Sequence, residues 1–544
     1  MRNNNYDYYS DWGPYAYPAG AEAASADDIM RKYRAVELSA AGKFPASGIP
    51  LLKRGSEVYV NDLTENTLIF GETGCKKSRC VIAPLIAMTT GAGESAFVTD
   101  VKGELSANPA LRGFLEKKGI HTVYLDFRTF DKDCFSILEH PFTLYRSGQK
   151  RKAATEISRL LAALGTKFEH DDEPIWADQA VSYLSAIIEM IFIMGIEFGK
   201  PDGVNMLSLA EFANMHSLRK IAECAENSLD FFREKLSPEN FAALENVALN
   251  PADKMTGSIL GFVHSLIKPF ASEPSLSEML SVSSFKVTDI YKEPTCVFLI
   301  IPDETSAYDM VSGLLTDTFY TRLIEEYGRT YMGRSEPPCR VNFICDEFCN
   351  LHINDMKSKI SASRSRCMRW FLVCQSKNQL ETTYVDHAGT IIGNCRNTLF
   401  LQSSDKDLVN YICDLCGETF INEDGRPHNF VRPDMLRELR KERDYKEAVF
   451  IDGNTVFFTE LPDIDSYEFL KRCAPAQENE APESAGGKSG KVGTVFGIHT
   501  LINFFNSWLT EVTEDVDEND EDGELSEEEM DYAFLNGLLF TTDD

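Results

Sequence analysis

The sequence predicts an α/β protein: a parallel sheet with helices on its faces, a P-loop at one strand end, and an inserted all-α domain. Three observations predict it. From about residue 50, short apolar runs alternate with helix-like segments, the pattern of a parallel sheet covered on both faces. Between about 150 and 285 the strand signal nearly vanishes, then returns. The stretch "TLIFGETGCKKSRC" (67–80) places a glycine-containing polar loop between an apolar run and a helix-like segment.

The elements follow in order. Residues 1–47, rich in Asn, Tyr and Ala, read as an extended or weakly ordered arm. Residues 48–150 form the first part of a nucleotide-binding domain, with buried strands in "SAFVTD" (95–100) and "HTVYLDF" (121–127) and a helix in "LSANPALRGFLEKKG" (105–119) between them. Residues 151–285 form the all-α domain; "WADQAVSYLSAIIEMIFIMGIEFG" (176–199) has helical apolar spacing. The second part of the nucleotide-binding domain, 286–470, carries strands in "TCVFLIIPD" (295–303), "RVNFICDE" (340–347), "RWFLVCQS" (369–376) and "NTLFLQSS" (397–404). Residues 471–544 are a linker, "AQENEAPESAGGKSGK" (476–491), and an acidic tail ending in the helix-like "EEEMDYAFLNGLLF" (527–540).

At 544 residues and 43% hydrophobic composition the chain has material for several cores. Its formal charge is −31, and the tail from residue 511 holds 15 acids with no Lys or Arg. That balance argues against a passive nucleic-acid binder with a broad basic surface. It leaves room for a motor that touches DNA through a few channel loops. The basic stretch "QKRKAA" (149–154) reads either as a DNA contact or as a solvated helix face. No secretory signal is visible, so the 14 scattered cysteines read as reduced thiols. Cys413 and Cys416 have C-x-x-C spacing but lack a second pair for tetrahedral zinc, and read as a buried helical pair. Nothing approaches ~20 uninterrupted apolar residues, so no membrane-spanning helix is expected. "VFGIHTLINFFNSWL" (495–509) is broken by His499, Asn503 and Asn506. It reads as a helix docked on the same chain, or as an amphipathic membrane-surface helix.

The loop nearly matches G-x-x-x-x-G-K-[ST]. Gly71, Thr73, Gly74, Lys77 and Ser78 fit, but Lys76 stands where the last glycine belongs. Such loops aim successive backbone N–H groups at phosphate from a helix N-terminus, with a lysine on the β/γ-phosphates and a hydroxyl on Mg²⁺. A strand-to-helix turn with surface lysines would read the same way. A second element sharpens the choice: "VNFICDEF" (341–348) is an apolar strand ending in Asp346 and Glu347. The first carboxylate suits Mg²⁺ and the second suits polarising an attacking water. A third strand ends in Gln375, placed to sense a γ-phosphate, and "SASRSRCMR" (361–369) supplies Arg364, Arg366 and Arg369 before it. Arg364 is the candidate to stabilise charge in a neighbouring subunit's site.

Together these residues resemble type IV secretion coupling proteins of the TraG/TraD class. The resemblance rests on "VTDVKGEL" (98–105), "EPIWADQAVSYLSAII" (173–188), "TGSIL" (256–260), "ICDEFCNL" (344–351), "SASRSRCMRWFLVCQSKNQLETTY" (361–384), "IIGNCRNTLFLQSSDKD" (391–407) and "VRPDMLREL" (431–439), in that family's order over about 50–460. It implies a RecA-like P-loop NTPase domain with an all-α domain that helps select substrate. It implies a homo-hexamer that hydrolyses ATP and brings relaxase-bound single-stranded DNA to a conjugative secretion channel. By position, Lys77 and Ser78 would bind phosphate and Mg²⁺, Asp346 the metal, Glu347 would act as base and Gln375 as sensor. Asp100 and Lys102 would line the site or the subunit interface.

Two departures qualify this. Family members usually begin with transmembrane helices and this chain shows none. The expectation is therefore a cytoplasmic protein, peripheral at the inner face of the cell membrane, either of a soluble type or held by a separate membrane anchor. Lys76 replaces a glycine that permits close backbone approach to phosphate; binding should survive with hydrolysis slowed, the extra lysine charge partly offsetting the loss. The alternatives are a non-hydrolysing receptor of the same machine, and a related pump or helicase of another mobile-element or defence system. The tail suits attraction of basic relaxase surfaces, or solubility alone.

Overall fold

A computed structural model of the chain describes residues 22–37, 42–165, 174–213, 232–248, 254–334, 338–419, 428–473, 493–497 and 499–503. Among the described residues fifteen strands occur, in chain order: β1 Glu22–Ala24, β2 Arg34–Glu37, β3 Ile49–Arg54, β4 Glu57–Asn61, β5 Thr67–Phe70, β6 Ser95–Val101, β7 His121–Asp126, β8 Thr295–Ile301, β9 Val341–Cys345, β10 Met368–Cys374, β11 Asn397–Phe400, β12 Glu418–Thr419, β13 His428–Asn429, β14 Tyr445–Asp452 and β15 Thr455–Pro462. Ten of them form one sheet, in the order β1-β15-β14-β11-β5-β10-β9-β6-β8-β7.

From β11 through β7 every neighbouring pair is parallel. The β14–β15 hairpin adds antiparallel to β11. The central strands are buried from end to end, which is why they read as continuous apolar runs. Alternate side chains feed two cores. Leu68, Phe70, Leu372 and Cys374 join the larger one, shared with the helical insertion. Ile69, Phe371 and Val373 face the helix Ala83–Gly91, whose nine residues are all buried.

The insertion between β7 and β8 is all helical in its described residues. Its packing starts earlier than the expected boundary at 151. Phe142 and Tyr145, on the helix Glu139–Arg146, sit against Phe192 at 5.2 and 5.6 Å between ring centroids. The helix Pro174–Glu197 forms its axis. Over Ile175–Glu197 its mean hydropathy of 1.7 and its length suffice to cross a bilayer, but 72% of the span is buried inside the protein. Glu189, midway along it, accepts from Tyr145 Oη, Ser237 N and Oγ, and Asn240 Nδ2. A carboxylate so fully hydrogen-bonded is the mark of a packed core helix.

Two expectations change. The presumed N-terminal arm is folded over 22–37: β1 pairs with β15, and Tyr33 Oη donates to the buried Asp452 at 2.8 Å. Docking on a sheet edge overrides weak local propensity. Part of the presumed linker and tail is also folded. Phe496 and Leu501 are buried against the helical insertion, in keeping with a helix docked on its own chain. The tail beyond 503, with "EEEMDYAFLNGLLF", lies outside the described residues, as does most of the linker. Cys413 and Cys416 are fully buried, and among the described residues no cluster of potential metal ligands occurs.

Candidate functional site

The loop at 71–78 leaves the C-terminal end of β5 and enters the following helix. Gly71 N donates to Cys374 O and Glu72 N to Gln402 O, tying the loop to both flanking strands. A Cβ at Gly71 would meet Cys75 Sγ at 2.6 Å, so a side chain there would have to displace Cys75. Gly74 has φ +79, a conformation glycine adopts freely. The helix opens with a wide turn in which the Ala83 amide donates five residues back, to Ser78 O. Pro84 explains it: it has no N–H, and its ring crowds the carbonyl four residues earlier.

Lys77 is buried, its ammonium folded onto Gly71 O at 2.7 Å and Glu72 O at 3.3 Å. A cation resting on loop carbonyls sits where it can transfer to phosphate oxygens. Ser78 is half-buried at the helix start. Lys76 has φ 70 and ψ 25. Its ammonium donates to Glu442 O, Arg443 O and Asp463 Oδ2 at 2.7–2.9 Å, away from the loop.

Strand order places the remaining groups. β10 lies between β5 and β9 in register, with Cys374 opposite Phe70 and Leu372 opposite Cys345. The residues following each strand, Gly71, Gln375 and Asp346, therefore emerge at one edge of the sheet. Gln375 Nε2 donates to both Glu347 carboxylate oxygens at 2.8 and 2.9 Å, and Thr73 Oγ1 donates to Gln375 Oε1 at 3.4 Å. One glutamine thus joins the loop to the acidic pair. Glu347 is held at φ 49, backbone strain of the kind that concentrates at functional sites. Asp346 is buried; desolvation, then the adjacent Glu347 charge, push its carboxyl up to about 7, with Lys77 opposing. Among the described residues only the Glu347 amide donates to it. A buried, under-compensated carboxylate suits a hard divalent cation.

Asp100, fully buried next to Asp346, accepts from Leu105 N at 3.1 Å and Ser106 N at 2.7 Å and so builds the turn after β6. Lys102, at φ 88, is half-exposed beside Asp303 at 3.9 Å. Arg364 does not join this cluster. It lies before β10, at the opposite end of a seven-residue strand, some 20 Å away at about 3.3 Å per residue. Its side chain is 65% exposed, 3.9 Å from Glu65. Arg369 is a structural residue: fully buried, it donates to Asn342, Leu63 O, Ser47 and Glu94, and burial lowers its pKa to about 10. The basic stretch 149–154 opens the helix Lys150–Gly165 with Lys150, Arg151 and Lys152 exposed.

Sequence reading missed the groups that brace the loop from outside: Lys441, whose ammonium donates to Gly74 O, and Asp463, which also takes Arg79. Their separation from the loop by more than 360 residues gave no local signal.

A strand–loop–helix with a buried lysine, and an acidic pair two strands away across a glutamine-tipped strand, define a RecA-like P-loop NTPase fold. The chain belongs to the type IV secretory system conjugative DNA transfer family, whose model matches residues 21–435. It is 24% identical over 445 residues to the protein VirD4 of Rhizobium radiobacter, covering 77% of this chain and 60% of that protein. It is 25% identical over 237 residues to VirD4 of Rhizobium rhizogenes, covering 39% of this chain and 34% of that one. The chain thus spans less than two thirds of the length of these relatives. In fold it is similar to the plasmid coupling protein TrwB in complex with ADP and Mg²⁺, with a TM-score of 0.57, 15% identity, and coverage of 82% of this chain and 95% of that one. The same protein with the non-hydrolysable analogue ADPNP gives the same values.

Proposed function

We propose that this chain is the ATP-driven coupling protein of a conjugation machine. It binds ATP with Mg²⁺ at the 71–78 loop and drives relaxase-bound single-stranded DNA to a type IV secretion channel. One observation carries the reading: Gln375 hydrogen-bonds Glu347 and Thr73 at once, linking the base candidate to the phosphate loop. In this role Lys77 releases the Gly71 and Glu72 carbonyls and takes the β/γ-phosphates. Ser78 and Asp346 would hold Mg²⁺, which supplies charge neutralisation on the phosphates. Glu347 orients the attacking water, and Gln375 reports the γ-phosphate to it.

Arg364 acts in this scheme only in trans, because its position beyond the far end of β10 denies it its own loop. That requires a ring, and we assign a homo-hexamer. The domain division is likewise proposed: a motor domain from 48–150 and 286–470, with an all-α domain for substrate selection between them. The protein works at the inner face of the cell membrane, beside channel subunits or a separate anchor.

A second reading has its own observation. Lys76 holds a left-handed conformation usually left to glycine. In this reading the ring is a receptor that binds nucleotide without turning it over. DNA-stimulated ATP hydrolysis by the wild type, Lys77→Ala and Lys76→Gly separates the two. Turnover in the wild type lost in Lys77→Ala supports the motor. An inactive wild type revived by Lys76→Gly supports the receptor. Absence of ATP binding in all three overturns both.

A further inference from the structure

We propose that Asp463 is a positioning residue for the phosphate loop: through Lys76 it holds the loop backbone in the left-handed turn that glycine would adopt unaided. This rests on the nucleotide-binding reading above. A side chain with a Cβ disfavours that turn by roughly five- to thirtyfold relative to ordinary helical backbone. Lys76 nevertheless occupies it, at φ 70. The restraint is visible. All three ammonium donors of Lys76 are used, on Glu442 O at 2.7 Å, Arg443 O at 2.8 Å and Asp463 Oδ2 at 2.9 Å.

Asp463 is itself fixed. It is fully buried, its amide donates to Asp444 O at 2.8 Å, and Arg79 donates to both of its carboxylate oxygens. The same outer segment makes a second tie, from the Lys441 ammonium to Gly74 O. Both positive-φ residues of the loop, Gly74 and Lys76, are thus held from 441–463, on the antiparallel edge of the sheet. The departure from glycine comes with its own compensating contact, 387 residues away in sequence.

A bland alternative is that Asp463 only orders Arg79 and the turn at 463–466. The two ideas separate by whether the effect of Asp463 depends on Lys76. The full chain is compared with Asp463→Asn, Lys76→Gly and the double variant, with Asp465→Asn as a control that removes a partner of Arg79 alone. Two readouts are taken: MgATP affinity, and hydrogen exchange of amides 72–78 without nucleotide. Asp463→Asn is expected to weaken affinity and speed loop exchange about fivefold or more, the factor set by the backbone preference. In the Lys76→Gly background it should change either by less than about twofold, and Asp465→Asn should change neither. Equal effects in both backgrounds, or none in either, overturn the proposal. Should the wild type bind no MgATP, the nucleotide reading fails by itself, and the exchange arms still decide the tether.

Discussion

Replacing Phe496 with alanine should release the segment 493–503 from the helical insertion while leaving the insertion folded. The ring is fully buried. It lies directly over Gly203, where an added Cβ would come within 2.3 Å of its Cζ, and edge-on to Phe198 at 5.7 Å between centroids. Two polar ties flank it: Phe496 N donates to Ser208 Oγ at 2.8 Å, and Asn205 Nδ2 donates to Thr494 O at 2.7 Å. Phe→Ala in a packed site costs about 3–5 kcal/mol. Water can fill the space on a peripheral segment, so the low end applies: about 3 kcal/mol, or roughly a 150-fold rise in the local opening constant. Hydrogen exchange at the Phe496 amide reads this directly, with the helix Pro174–Glu197 as internal control. A rise below about tenfold at Phe496 would refute the reasoning, since the ring would then carry little of the docking. Gly203→Ala gives an independent check, because its new Cβ must displace the ring, and it should accelerate the same amide.

Three further outcomes are expected. Glu347→Gln should keep MgATP affinity within about twofold and lower turnover by at least ~100-fold, the usual range for losing a general base; steady-state hydrolysis and calorimetry check it. Arg364→Ala should leave nucleotide affinity unchanged and abolish most turnover of the assembled ring, and mixing it with Lys77→Ala chains should restore part of the activity, because each supplies what the other lacks. Acid should loosen the N-terminal segment through Asp452. Burial opposes ionisation there, but hydrogen bonds from Lys32, Tyr33 and Arg396 hold its pKa below the ordinary value. A lowered folded pKa gives stability that is present above the unfolded value, about 3.9, and lost as pH falls through the folded one. Exchange protection over 22–37, corrected for intrinsic rates, should therefore fall below about pH 4, and Asp452→Asn should flatten that dependence.

The parallel heart of the sheet was legible because physics writes it locally. A strand buried on both faces is a continuous apolar run, and "TLIF", "VNFIC" and "RWFLVC" are such runs. The edges were not. β1 is "EAA", which has no strand propensity of its own and becomes a strand because β15 presents free backbone groups to it. The helix Pro174–Glu197 shows the converse error of local reading. Interruption by polar residues excluded a membrane span, yet its composition passes for one, and only packing around Glu189 settles its place.

The site divides along the same line. Asp346, Glu347 and Gln375 were readable as neighbours because they follow strand ends, and parallel strands in register deliver their ends to one edge; Lys77 was readable from the loop motif, at the start of the helix after β5. Lys76 was readable as a departure but not in its effect. Its charge was expected to help bind phosphate, and the structure turns it onto Asp463 instead. The reason lies in its contacts: Glu442 O, Arg443 O and Asp463 take all three of its ammonium donors. A glycine-to-lysine change there alters the loop's restraint, not its charge, so the question of turnover moves from Lys76 to the buried carboxylate that holds it.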